Sequence, residues 1–92
     1  MAALPQVDPI EMLLDQTVKA VPVPKGVLLR RIYFDTDSTG DPAIYIVYAV
    51  SRRLGIAPAA VRSIGTLENA VSEAVEALHL DRIVYVRFED AP

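Results

Sequence analysis

Ala43-Ile44-Tyr45-Ile46-Val47-Tyr48-Ala49-Val50 decides the fold of this chain. Ile44 to Tyr48 is an unbroken run of β-branched and aromatic residues. Such residues lose side-chain freedom in a helix and pack well on a pleated surface, so the run predicts a strand. The flanks offer one alternative. Asp41-Pro42 has the form of an N-cap and first helical residue, and Leu54-Gly55 that of a helix end, which would make 42–54 a helix apolar nearly all round. A strand makes the chain an α+β domain; a helix would favour a DNA-binding one.

Working outward, Val27 to Asp35 also reads as a strand. Strict alternation puts Leu28, Ile32 and Phe34 on one face and Leu29, Arg31, Tyr33 and Asp35 on the other. Between the two runs lies Asp35-Thr36-Asp37-Ser38-Thr39-Gly40-Asp41-Pro42, in which acids, hydroxyls, a glycine and a proline supply turn chemistry throughout. An antiparallel hairpin is expected.

This turn is also where side chains of catalytic or metal-binding type crowd together. Asp35, Asp37, Thr39 and Asp41 resemble the first half of an EF-hand-like calcium loop, with Gly40 at the bend. The twelfth position, which calls for a bidentate Glu, is Ile46. Ile32 to Thr39 also resembles the first motif of the haloacid dehalogenase-like phosphatases, an apolar strand ending in D-x-D-x-T. That resemblance implies Asp35 as nucleophile, Asp37 as acid/base and a shared magnesium. It covers those residues alone, and the chain behind them is too short for the large sheet, the lysine and the further acidic ligands of that family. The expectation is therefore a solvated turn whose Asp side chains bond nearby backbone N–H groups, with no catalytic, metal or cofactor-binding residue assigned.

Upstream, Asp8-Pro9 signals a helix start, and Ile10, Leu13, Leu14 and Val18 follow at helical spacing. Val21-Pro22-Val23-Pro24-Lys25-Gly26 ends it in an extended connector. Residues 1–26 thus read as an N-terminal arm, and 27–92 as a single α+β domain. So short a helix must dock to persist, either on its own domain or on another subunit.

Downstream, Ser51 to Ile64 resembles the heart of a helix-turn-helix. Gly55 stands at the turn, Leu54, Ile56, Val61 and Ile64 hold the apolar places, and Pro58 can open the second helix. The resemblance implies Arg52, Arg53 and Arg62 as nucleic-acid contacts. Its first helix would have to come from the segment just read as a strand. Thr66 then suits an N-cap, and Leu67, Ala70, Val71, Ala74, Val75 and Leu78 form an apolar stripe opposite Glu68, Glu73 and Glu76. His79 follows as a lone terminal residue. Arg82 to Glu89 alternates as a last strand, with Val84, Val86 and Phe88 on one side and Ile83, Tyr85 and Arg87 on the other.

Composition bounds the function. The chain has 92 residues, enough for one small core, and no cysteines, which excludes disulfides and thiolate metal sites. A net charge of -3 argues against general attraction to nucleic acid. No secretory signal is visible, and the longest apolar run, Pro42 to Val50, falls far short of the ~20 residues of a spanning helix, so a cytoplasmic location without a membrane partner is the default. The hydrophobic share of 52% is high for so small a body, and contiguous exposed apolar surface usually marks an interface.

The expected architecture is an N-terminal helix followed by a small ββαβ sheet with one amphipathic helix packed on it. One sheet face is then left carrying Arg31, Tyr33, Tyr45, Val47, Ile83, Tyr85 and Arg87. The arm helix could fold over it, another protein could cover it, or its tyrosines could stack RNA bases. Tyr and Arg suit interface anchors. The leading expectation is a non-enzymatic protein-protein interaction module, either a homo-oligomer or an antitoxin- or immunity-like small subunit. It would bind through that face and the arm residues Leu13 and Leu14. The alternative is the helix-turn-helix-like nucleic-acid binder.

Overall fold

The computed structural model describes residues 8–51 and 58–91. Helix α1 (Pro9–Lys19) is followed by strands β1 (Val27–Thr36) and β2 (Pro42–Val50), helix α2 (Pro58–Glu76) and strand β3 (Ile83–Asp90). The sheet order is β1-β2-β3. β1 and β2 form the expected antiparallel hairpin, whereas β2 and β3 run parallel. A parallel pair cannot be joined by a tight turn, and α2 supplies the crossover.

Residues 42–50 are strand, and their burial explains the unbroken apolar run. β2 is the central strand, paired along both edges; its core face meets the helices, its other face lies between the side chains of β1 and β3, and Ala43 through Ala49 are all buried. A helix over 42–54, and with it the first helix of a helix-turn-helix, is ruled out by this pairing. Arg52 and Arg53, expected as nucleic-acid contacts, lie outside the described residues.

The core collects on one side of the sheet. Ile44, Ile46 and Tyr48 of β2 meet Leu14 and Val18 of α1 and Leu67, Val71 and Val75 of α2. Burying each such side chain contributes about 1.5–3 kcal/mol. α1 is therefore built into the core, and it does not fold over the opposite sheet face. Its start follows the capping rule, with the Asp8 side chain accepting from the Ile10 N–H at 2.9 Å and Pro9 in the first turn.

Two local readings need correction. The first concerns β1, where the register shifts between Leu29 and Arg31. A bulge adds one residue to one strand and reverses the alternation on either side of it. Val27 and Leu29 therefore join Ile32 and Phe34 against the core, and Leu28 turns to the opposite face at 67% exposure. The second concerns α2, which starts at Pro58 rather than at Thr66. Ala60 and Ile64 are half-buried and lie on the same stripe as Leu67, Val71 and Val75, so one helix runs through Gly65 and Thr66. The helix then closes over Ala77 to His79, and His79 takes a left-handed φ of 51°. No helix among the described residues is long and apolar enough to cross a membrane.

Candidate functional site

The sheet face away from the helices carries Leu28, Arg31, Tyr33 and Asp35 from β1, Ala43, Tyr45, Val47 and Ala49 from β2, and Ile83, Tyr85, Arg87 and Glu89 from β3. The buried residues of both helices all join the cluster on the other side, so no described helix covers this one.

Three tyrosines stand in register across it. Tyr33 and Tyr45 stack with ring centroids 5.0 Å apart, and Tyr45 and Tyr85 with centroids 5.3 Å apart. These spacings follow the separation of about 4.8 Å between neighbouring strands, so pairing Tyr33 with Tyr45 and Tyr45 with Tyr85 in the ladder builds the stack. Arg31 lies over the Tyr33 ring at 5.8 Å and Arg87 over the Tyr45 ring at 5.1 Å. Beyond them Glu89 meets the Arg30 Nε at 3.4 Å and Arg31 at 3.7 Å. These ion pairs are half exposed and fix side-chain position more than they add stability.

The structure sorts the sequence-derived residues. Arg31, Tyr33, Tyr45, Val47, Ile83, Tyr85 and Arg87 do share one face. Tyr45 and Val47 form its floor, at 8% and 2% exposure, while Tyr33 and Ile83 stand open at 36% and 44%. Leu13 is exposed, but on α1 and away from this face. Leu14 is a correction: at 1% exposure it belongs to the intramolecular core and cannot meet a partner. Leu28 and Glu89 were missed. The signal for Leu28 was present in Leu28-Leu29-Arg30-Arg31, two apolar residues followed by two charged ones, a pattern that strict alternation cannot accommodate.

The acidic turn is self-contained. Asp37 Oδ1 accepts from the Thr39 N–H at 2.9 Å, the Thr39 hydroxyl at 2.7 Å and the Asp41 N–H at 2.9 Å. Its Oδ2 accepts from the Tyr85 hydroxyl at 3.0 Å. The Thr39 hydroxyl, followed by the Asp41 N–H, holds the Asp37 carboxyl below its ordinary value. The same carboxylate raises the Tyr85 phenol, because a donor bonded to an anion is harder to deprotonate. Gly40 takes a φ of 85°, as the tight turn requires. Among the described residues no group of three or more His, Cys, Asp or Glu side chains is arranged to hold a metal ion.

Arg62 is exposed on α2, on the helical side of the molecule, and lines a shallow cleft with Pro22, Pro24 and Thr66. It is remote from the tyrosines, and its neighbour Ser63 donates its hydroxyl to the Ala59 carbonyl within the helix. No protein-family model, curated protein or solved structure matches the chain.

Proposed function

We propose that this chain is a non-enzymatic protein-protein interaction module, acting as a homo-oligomer or as the small subunit of a complex in the manner of an antitoxin or immunity protein. The observation that carries the reading is the stacked Tyr33–Tyr45–Tyr85 row on a sheet face no described helix covers. Large rigid rings that are already ordered lose little further freedom on binding, and the arginines across them add directional contacts. Leu28 and Ile83 extend the apolar surface at either side of the row. The acid-rich turn supports the same reading, since the Asp37 hydrogen bonds are spent on building the turn and anchoring Tyr85.

The test is recovery of the tagged full-length chain from its native cells, with complex composition and stoichiometry measured by mass spectrometry. Arg87→Glu and Ile83→Asp on the tyrosine face should abolish the complex, and Glu68→Lys and Glu73→Lys on α2 should leave it intact. A complex lost with the helix variants and kept with the sheet variants would overturn the proposal.

A further inference from the structure

β1 is an edge strand of ten residues without a proline, and its outer side is unpaired among the described residues. An edge of this kind presents a row of free backbone donors and acceptors, a template for another strand. Which groups point outward follows from the turn. The Asp37 N–H bonds the Asp41 carbonyl at 2.8 Å, so alternation directs the backbone of Asp35, Tyr33 and Arg31 toward β2. The N–H and C=O groups of Ile32 and Phe34 then face out. Thr36 agrees with this, since its N–H lies opposite Pro42 and is taken by Asp35 Oδ1 at 2.7 Å, which also brings that carboxylate to the edge.

The side chains along this edge are complementary to themselves. Arg31, Tyr33 and Asp35 follow one another on the open face, with opposite charges two residues either side of a tyrosine. We propose that β1 pairs antiparallel with β1 of a second copy about a two-fold axis at Tyr33. In that register Arg31 of each copy meets Asp35 of the other, Tyr33 stacks on Tyr33, and the outward backbone groups of Ile32 bond those of Phe34. The pair forms a six-stranded sheet in which two rows of three tyrosines become one row of six. The spacing suits it, because the next strand falls at the same interval that already separates the stacked rings. The arrangement is isologous and closed, as a two-fold dimer requires.

A second feature lies at the same edge. A cleft of about 590 Å³ opens between α1 and β1, lined in part by Met12, Ile32 and Phe34. In the paired state, Ile32 and Phe34 of the partner lie next to their counterparts at this cleft and shield its apolar wall. The other edge, β3, is less suited. Matching Arg87 with Glu89 there overlaps the strands only at their ends.

This inference rests on the reading of the chain as an interaction module and names one partner for it. The experiment is sedimentation equilibrium of the full chain and of two charge variants, alone and mixed. The wild type should sediment at twice its 10.0 kDa chain mass. R31D makes both flanking positions acidic and D35R makes both basic, so each variant alone should be monomeric. An equal mixture should restore the dimer as a heterodimer, which no loss of folding could produce. The double variant R31D/D35R, complementary again, should also dimerise, and circular dichroism checks that each single variant is folded. A monomeric wild type, dimeric single variants, or a mixture and double variant that both stay monomeric would each overturn the proposal. A monomeric wild type that still yields a complex through the tyrosine face would overturn the dimer alone.

Discussion

The Tyr85 hydroxyl donates to Asp37 Oδ2 at 3.0 Å, tying the last strand to the turn between the first two across 48 residues of chain. Because Tyr85 is also an outer ring of the tyrosine stack, this hydrogen bond links the turn to the face. Asp37→Ala removes this bond and the three that shape the turn, and is expected to lower Tm more than Tyr85→Phe, which removes only one. Thermal unfolding of the two variants measures the difference.

The same pair sets a pH dependence. The Asp37 carboxyl is lowered from its usual 3.8, so its contribution to stability is complete above that value and is lost as pH falls below it. The Tyr85 phenol is raised from its usual 10.0, so its contribution is complete below that value and is lost as pH rises through the folded-state value. Chemical denaturation across pH should show a plateau between the two limits, and Asp37→Asn should flatten the acid side. An unchanged acid limb in that variant would contradict the assignment.

Leu14 and Leu13 are neighbours in sequence with opposite fates, at 1% and 45% exposure. Leu14→Ala should cost about 2–5 kcal/mol through lost burial and the cavity left behind. Leu13→Ala should change stability by about 0.5 kcal/mol or less. Denaturant titration distinguishes a docked α1 from a loose arm by this contrast.

These contrasts show what the sequence could and could not reveal. The hairpin was legible because the β-branched and aromatic run Ile44 to Tyr48 disfavours a helix on side-chain grounds and the DTDSTGDP stretch carries turn chemistry throughout. The seven residues of the open face were legible because alternation holds through β2, β3 and the second half of β1. Leu28 was not, because the bulge before Arg31 reversed the pattern. The start of α2 was hidden for another reason: Gly65-Thr66 looks like a boundary locally, whereas the apolar stripe runs on from half-buried Ile64 to buried Leu67 within one helix. The docking side of α1 was set by packing against α2, a relation no local pattern carries.

Gly65 lies in the middle of α2, and a Cβ there would meet nothing within 4 Å. Gly65→Ala should therefore stabilise the protein by about 0.5–1 kcal/mol, through reduced freedom of the unfolded chain. Urea unfolding midpoints of the two proteins check this.

Tyr48 is fully buried against Phe88, with ring centroids 5.7 Å apart, and its hydroxyl has no hydrogen-bond partner among the described residues. An orphaned hydroxyl in a core costs about 1–3 kcal/mol of desolvation, and burial accordingly raises its phenol. Tyr48→Phe should leave the fold intact and raise stability by about 1 kcal/mol, read from the denaturation midpoint.

The tyrosine face is the proposed partner surface. Its most direct test is photo-crosslinking in native cells from a benzophenone amino acid placed at Leu28 or Ile83 on that face, compared with Glu68 or Glu73 on α2. Discrete crosslinked protein adducts are expected from positions 28 and 83 and none from positions 68 and 73. Adducts confined to the helix positions would contradict it.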